Sequence, residues 1–260
     1  MRSTSGGVLA LVLAGLLATT IAQADVVGGA NVRASFEGWL TPRALPRVGL
    51  APVALHLKGR LWTTDGREPP QLDRVAIAIN RYGKVSTAGL PLCRRRTIVA
   101  ATTAQALAAC RDALVGSGRF EAHIVLPDQA PFPAQGRLLA FNSMRHGRHV
   151  ILAHIYGTRP VPIGQVLTMS FQRPGSGRFG TSLSVRMPTV HAEWGHVTGF
   201  SLSLHRRFRF KGRSRSVISA GCPAPNGFGS ALFAAAKGTY YLADGRTITR
   251  VVTGRCKVRR

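Results

Sequence analysis

The sequence predicts a mainly β protein, an antiparallel β-sandwich or jelly-roll-like architecture with one short α-helix at about residues 103–114. Three observations carry that prediction. Apolar and polar residues alternate in roughly a dozen short segments separated by turn residues, as half-buried strands do. Asp244-Gly245 stands between two such segments, and Asp-Gly is the strongest short hairpin signal. Only one stretch, Thr102 to Leu114, has helical spacing, whereas a parallel βαβ fold needs repeated crossover helices.

The chain begins with Arg2, an apolar run from Val8 to Ile21, and Ala22-Gln23-Ala24. A charged start, a short apolar run and a small-x-small site define a signal peptide over residues 1–24, with cleavage before Asp25. Gly15, Thr19 and Thr20 break the run, which is too short to span a bilayer. No later stretch is long and apolar enough to do so. The expected location is therefore secreted or extracytoplasmic, at the cell envelope.

Residues 25–52 read as an N-terminal strand (Val32, Ala34, Phe36) and a Pro-rich surface linker from Thr41 to Pro52; residues 53–260 read as the sandwich domain. An alternative division into two β domains falls near 158–164, at Arg159-Pro160-Val161-Pro162. Val53, Leu55, Leu57 and Leu61 mark a strand that Asp65-Gly66 turns. Val75, Ile77 and Ile79 mark the next. Arg94 to Ala100 reads as a basic strand-like run.

In the helix, Thr102 and Gln105 form a capping box, Leu107, Cys110 and Leu114 an apolar stripe, and Gly116 the terminator. Phe120 to Leu126 alternates again. Hairpins follow across Arg145 to Arg148, between Val166–Phe171 and Phe179–Met187, and across Asp244-Gly245. Val197 to Phe210 and Val217 to Ala220 supply further strands.

Four cysteines in an exported chain imply two disulfides, for which three connectivities exist. Cys93 with Cys110 and Cys222 with Cys256 is the preferred set. The first pair would clip the helix to the segment that feeds it, at a loop-entropy gain of about 3 kcal/mol. There is no Cys-x-x-Cys, so thioredoxin chemistry and a thiolate zinc site lose support.

Charge is the most unusual global feature. Lys and Arg total 35 against 10 acids, a formal net charge of +25. Such an excess favours encounters with polyanions outside the cell, although solubility and GC-rich coding produce the same Arg bias.

Carboxylates are few enough to eliminate singly. Asp65, Asp128 and Asp244 serve turns, Asp112 lies on the helix, and Asp25 is the new terminus. Of Glu37, Glu68, Asp73, Glu121 and Glu193, no two alternate on one strand, so a glycosidase-type pair is not encoded locally. His191, Glu193 and His196 lack the His-Glu-x-x-His spacing of helical zinc sites, and Gly195 opposes a helix. Trp194 makes this a turn with an aromatic anchor. Gly199-Phe200-Ser201-Leu202-Ser203 misses the last Gly of a nucleophile elbow. No catalytic residue, metal or cofactor is expected.

The run Arg206 to Arg215 differs in kind. Arg207, Arg209 and Lys211 alternate with Phe208 and Phe210, and Arg213 and Arg215 follow the Gly212 turn. Aromatics inward and cations outward suit phosphates or carboxylates, which arginine grips bidentately. Arg94, Arg95, Arg96 and the tail Lys257 to Arg260 are further anion-binding candidates.

The phrases GLPLC, CRDALVGSG, GRLLAFN, HIYGTRPVP, SAGCPAP and LADGRT together resemble a family of exported, disulfide-containing β-rich bacterial proteins with no assigned activity. The resemblance implies export and a disulfide-tied β fold, and no catalytic residue. The function expected is that of a secreted, non-catalytic protein binding anionic envelope or extracellular polymers. One competing class is an extracellular hydrolase at His191/Glu193, joined by Glu121 or His154. Another is a structural subunit of a surface assembly, which needs a long exposed strand edge or a large apolar patch.

Overall fold

The alternating segments pair into one large antiparallel sheet that curls on itself. A computed structural model describes residues 31–159, 162–172, 177–187 and 195–259. In chain order the strands are β1 (Val32–Thr41), β2 (Ala44–Leu45), β3 (Ala51–Pro52), β4 (Ala54–Thr63), β5 (Leu72–Asn80), β6 (Gly83–Val85), β7 (Leu114–Ile124), β8 (Phe132–Arg145) and β9 (Arg148–Arg159). They continue with β10 (Ile163–Gln172), β11 (Phe179–Arg186), β12 (Gly195–Leu204), β13 (Arg207–Phe210), β14 (Arg213–Ser216), β15 (Ile218–Ala220), β16 (Ser230–Leu242) and β17 (Thr247–Val258).

Twelve of them form the main sheet, in the order β1-β4-β12-β7-β8-β9-β10-β11-β5-β16-β17-β2. Every pairing in it is antiparallel except β17 with β2. β3, β15 and β6 make a small second sheet, and β13 with β14 a separate hairpin. β9 and β10, on either side of the possible boundary, pair within the main sheet, with Ile163 opposite Gly157. The layering expected of a sandwich is thus produced by one curled sheet.

The inner face carries the core. Val32, Ala34 and Phe36 of β1 and Leu55, Leu57 and Leu61 of β4 alternate inward, as their spacing predicts. The curl brings β1 against β16 and β17. There Phe36 lies on the backbone of Gly238, where any Cβ would sit 2.7 Å from its ring. Arg250 Nε also donates to the Ala34 carbonyl at 3.2 Å.

β8 and β9 are buried on both faces, which explains their unbroken apolar runs. Leu138, Ala140, Ile151 and Ala153 face the core. Leu139, Phe141 and Leu152 face outward into a second cluster beneath a helical insert.

That insert corrects the reading of residues 94–116. Arg94 to Ala100, expected as strand-like, contains the helix α1 (Arg95–Ile98). Only Ile98 of this helix is buried, so the alternation is not used. Cys93, held by its N–H to the Asn142 carbonyl at 2.8 Å, fixes where α1 starts. The second helix, α2 (Thr103–Cys110), opens on the capping box of Thr102 and Gln105 as expected.

Ala106 and Cys110 form its buried stripe, and Leu107 is only partly covered. A 3-10 turn, Arg111–Ala113, replaces the last helical turn, and Leu114 already belongs to β7. Gly116 therefore ends no helix. It lies in β7 where a Cβ would stand 2.2 Å from the Ser203 carbonyl oxygen, a close backbone approach.

Both expected disulfides form: Cys93 with Cys110, 17 residues apart, and Cys222 with Cys256, 34 apart. Disulfides point to an oxidising, extracytoplasmic location. The connector 41–52 is docked, unlike a free linker. Arg47 donates to the carbonyls of Ala224 and Phe228 at 2.7 and 2.6 Å and to that of Pro225, while Cys222 N–H donates to Pro46 at 2.9 Å. Among the described residues, no helix is long and apolar enough to cross a membrane.

Candidate anion-binding surface

The basic run folds as its alternation requires. β13 and β14 pair as a hairpin in which Lys211 and Gly212 have φ of 51° and 74°. Two consecutive positive φ values are what a type I′ two-residue loop needs. At the base, Val217 N–H donates to the Arg206 carbonyl at 2.9 Å and Ser86 N–H to that of Val217 at 2.9 Å.

Phe208 packs against the main core. Phe210 rests on Gly89, whose φ of +91° and lack of a Cβ admit the ring; an added Cβ would lie 2.2 Å from it. Two aromatic anchors thus hold a cationic hairpin against the body of the protein.

The hairpin divides its five cations. Arg207 and Arg209 share a face with their register neighbours Ser216 and Ser214. Arg213 and Arg215 lie opposite Phe210 and Phe208, on the aromatic face, and Lys211 is at the tip. The Arg215 guanidinium and the Lys211 ammonium stand 5.2 and 5.7 Å from the Phe210 ring centre, within cation–π reach. Arg207, Arg209, Lys211 and Arg213 are exposed.

None of the five has an acidic partner among the described residues. The three ion pairs among the described residues join Arg67 to Asp65, His123 to Glu68 and Arg246 to Asp244. The other basic candidates are dispersed. Arg94, Arg95 and Arg96 stand at the start of α1, where Arg95 donates to the Val166 carbonyl. Lys257 is exposed on β17, and Arg260 lies outside the described residues.

His191 and Glu193, the centre of the hydrolase alternative, also lie outside the described residues. Glu121 and His154 are the alternative companions suggested for them. Glu121 is exposed on β7, whereas His154 on β9 is buried under the insert. His154 Nε2 donates to the Ala101 carbonyl at 2.8 Å, and its Nδ1 has no hydrogen-bond partner among the described residues. His196 Nδ1 lies 2.7 Å from the Pro69 carbonyl, beside its register partner His123. His123 Nδ1 is 2.8 Å from Glu68.

One grouping escapes sequence reasoning altogether. Trp39, His56 and Ser203 lie side by side across β1, β4 and β12. The Trp39 and His56 rings stack with centres 5.1 Å apart, and His56 Nδ1 is 2.8 Å from Ser203 Oγ. Burial, and then the nearby His205, lower the His56 pKa from its usual value. No acid among the described residues hydrogen-bonds to His56. No local motif signals the trio, because the partners meet only through pairings between strands distant in sequence.

The fold and surface define a mainly β, disulfide-clipped protein with an exposed cationic hairpin that no ion pair among the described residues engages. No protein-family model, curated protein or solved structure matches the chain.

Proposed function

We propose that residues 1–24 are a signal peptide and that the exported chain is a non-catalytic protein that binds anionic envelope or extracellular polymers through its arginine-rich faces. The observation that carries this reading is the absence of any carboxylate partner for Arg207, Arg209, Lys211, Arg213 and Arg215 among the described residues. Cations left unpaired on a surface attract polyanions at a range set by salt, and arginine grips phosphate, sulfate or carboxylate groups with paired donors. The two disulfides support an extracytoplasmic setting.

The experiment is chromatography on immobilised heparin, used as a model polyanion. The exported protein should be retained at low salt and elute in a salt gradient. Retention that ignores salt contradicts an electrostatic role.

A further inference from the structure

A groove on the outer face of the sheet has a different character from the hairpin. It lies between the start of the helical insert and strands β8 to β11, with a volume of about 920 Å³. That is within the range of sites for small organic ligands. Its floor is apolar, formed by Val150, Leu152 and Val166, and all three are buried. Leu92 and Met144 stand at its margin 49% and 45% exposed, among the few large apolar side chains left open to water.

Five arginines line the same groove: Arg94, Arg95, Arg96, Arg145 and Arg186. Among the described residues, no aspartate or glutamate lines it. Arg95 is occupied by the Val166 carbonyl, beyond the paired part of β10 and β11. Arg94, Arg96, Arg145 and Arg186 enter none of the three ion pairs among the described residues. Arg145 lies on β8 and Arg186 on β11, the strands that flank the β9 and β10 floor, so apolar floor and basic margin meet on adjacent strands.

An apolar trough edged by unpaired guanidinium groups is complementary to a molecule with a hydrocarbon tail and an anionic head. Several cations around one opening favour a head with more than one negative charge, which a phosphate monoester carries near neutral pH. We infer that this groove binds a single-chain acyl amphiphile with a phosphate head, the tail lying on Val150, Leu152 and Val166 and the head held by Arg94, Arg96, Arg145 and Arg186. The site is separate from the hairpin and goes beyond polymer binding.

The test uses the full exported protein and three probes below their micellar concentrations: oleoyl lysophosphatidate, the neutral monoacylglycerol with the same chain, and glycerol phosphate. Titration calorimetry should show lysophosphatidate binding at least tenfold more tightly than the monoacylglycerol, with no measurable binding of glycerol phosphate. The double variant Arg96→Ala/Arg186→Ala should lose at least tenfold in lysophosphatidate affinity, and so should Met144→Glu, which alters only an exposed position. Arg207→Ala/Arg209→Ala should leave lysophosphatidate affinity unchanged. Circular dichroism confirms that each variant is folded. Equal affinity for the charged and neutral amphiphiles would overturn the assignment. So would loss of binding on changing the hairpin but not the groove.

Discussion

Tyr240 Oη donates a 2.8 Å hydrogen bond to the carbonyl oxygen of Ser35, across 205 residues of sequence. Tyr240 sits on β16 near one end of the main sheet and Ser35 on β1 at the other, so this bond fastens the curl. Burial raises the Tyr240 pKa well above its usual value and keeps the phenol a donor. Tyr240→Phe removes the donor and leaves a carbonyl short of a partner, at a cost of about 1–2 kcal/mol. Urea unfolding should show a lower midpoint for the variant with the same slope. An unchanged midpoint would mean that the contact does not hold the sheet ends together.

Gly59 tests the same closure from the side. A Cβ there would lie 2.4 Å from both Tyr240 Oη and the Phe200 ring. Gly59→Ala should destabilise the fold by overpacking, by about 1–3 kcal/mol. In combination with Tyr240→Phe the cost should be less than the sum, because one clash partner is gone. Additive effects in the double variant would show the two residues to be independent.

The disulfides should contribute unequally. By loop-closure entropy the 17-residue link of Cys93 to Cys110 is worth about 3 kcal/mol and the 34-residue link of Cys222 to Cys256 about 4 kcal/mol. Iodoacetamide should label no thiol before reduction and four after it, since all four cysteines are paired. Cys93→Ala/Cys110→Ala and Cys222→Ala/Cys256→Ala should both lower the urea midpoint, the second pair more.

His56 sets a pH dependence. Its folded pKa is lowered from 6.5, first by burial and then by His205. The unfolded chain therefore binds the proton more readily, and this group's contribution to stability is complete above pH 6.5 and declines as pH falls below it. In an NMR titration His56 should titrate below 6.5, and His205→Asn should move it upward. Loss of Trp39 stacking should accompany protonation, read as a change in tryptophan fluorescence. A His56 pKa at or above 6.5 contradicts the partly buried setting of the ring.

Gly89 separates the placing of the hairpin from its charge. Gly89→Ala forces a Cβ into the Phe210 ring and strains a positive φ, so the hairpin should lift from its seat with all five cations intact. Heparin retention should then weaken without any change in net charge. Full retention would show that charge alone, irrespective of geometry, governs binding.

The local grammar of the fold was legible in the sequence. The Asp244-Gly245 hairpin and the Thr102–Gln105 capping box follow from short-range chemistry, the cystine pairing was the preferred one of three, and the structure contains each. Long-range order was not legible. Nothing near β4 announces that it pairs with β12, or that β5 inserts between β11 and β16. For the same reason the Trp39–His56–Ser203 row and the arginine-edged groove were invisible, since each needs strands brought together from distant sequence. Arg94 to Ala100 misled because β-branched Thr97, Ile98 and Val99 suggest a strand. The cystine at Cys93 and burial of Ile98 alone favour a turn of helix.

Salt dependence of polyanion binding tests the central claim most directly. Heparin affinity should be measured by titration over a series of sodium chloride concentrations, for the exported protein and for Arg207→Ala/Arg209→Ala/Arg213→Ala. Counterion release predicts a linear fall of log affinity with log salt, and a weaker affinity with a shallower slope in the variant, at unchanged stability. Affinity that is flat in salt, or identical slopes for the two proteins, would contradict an arginine-borne anion-binding surface.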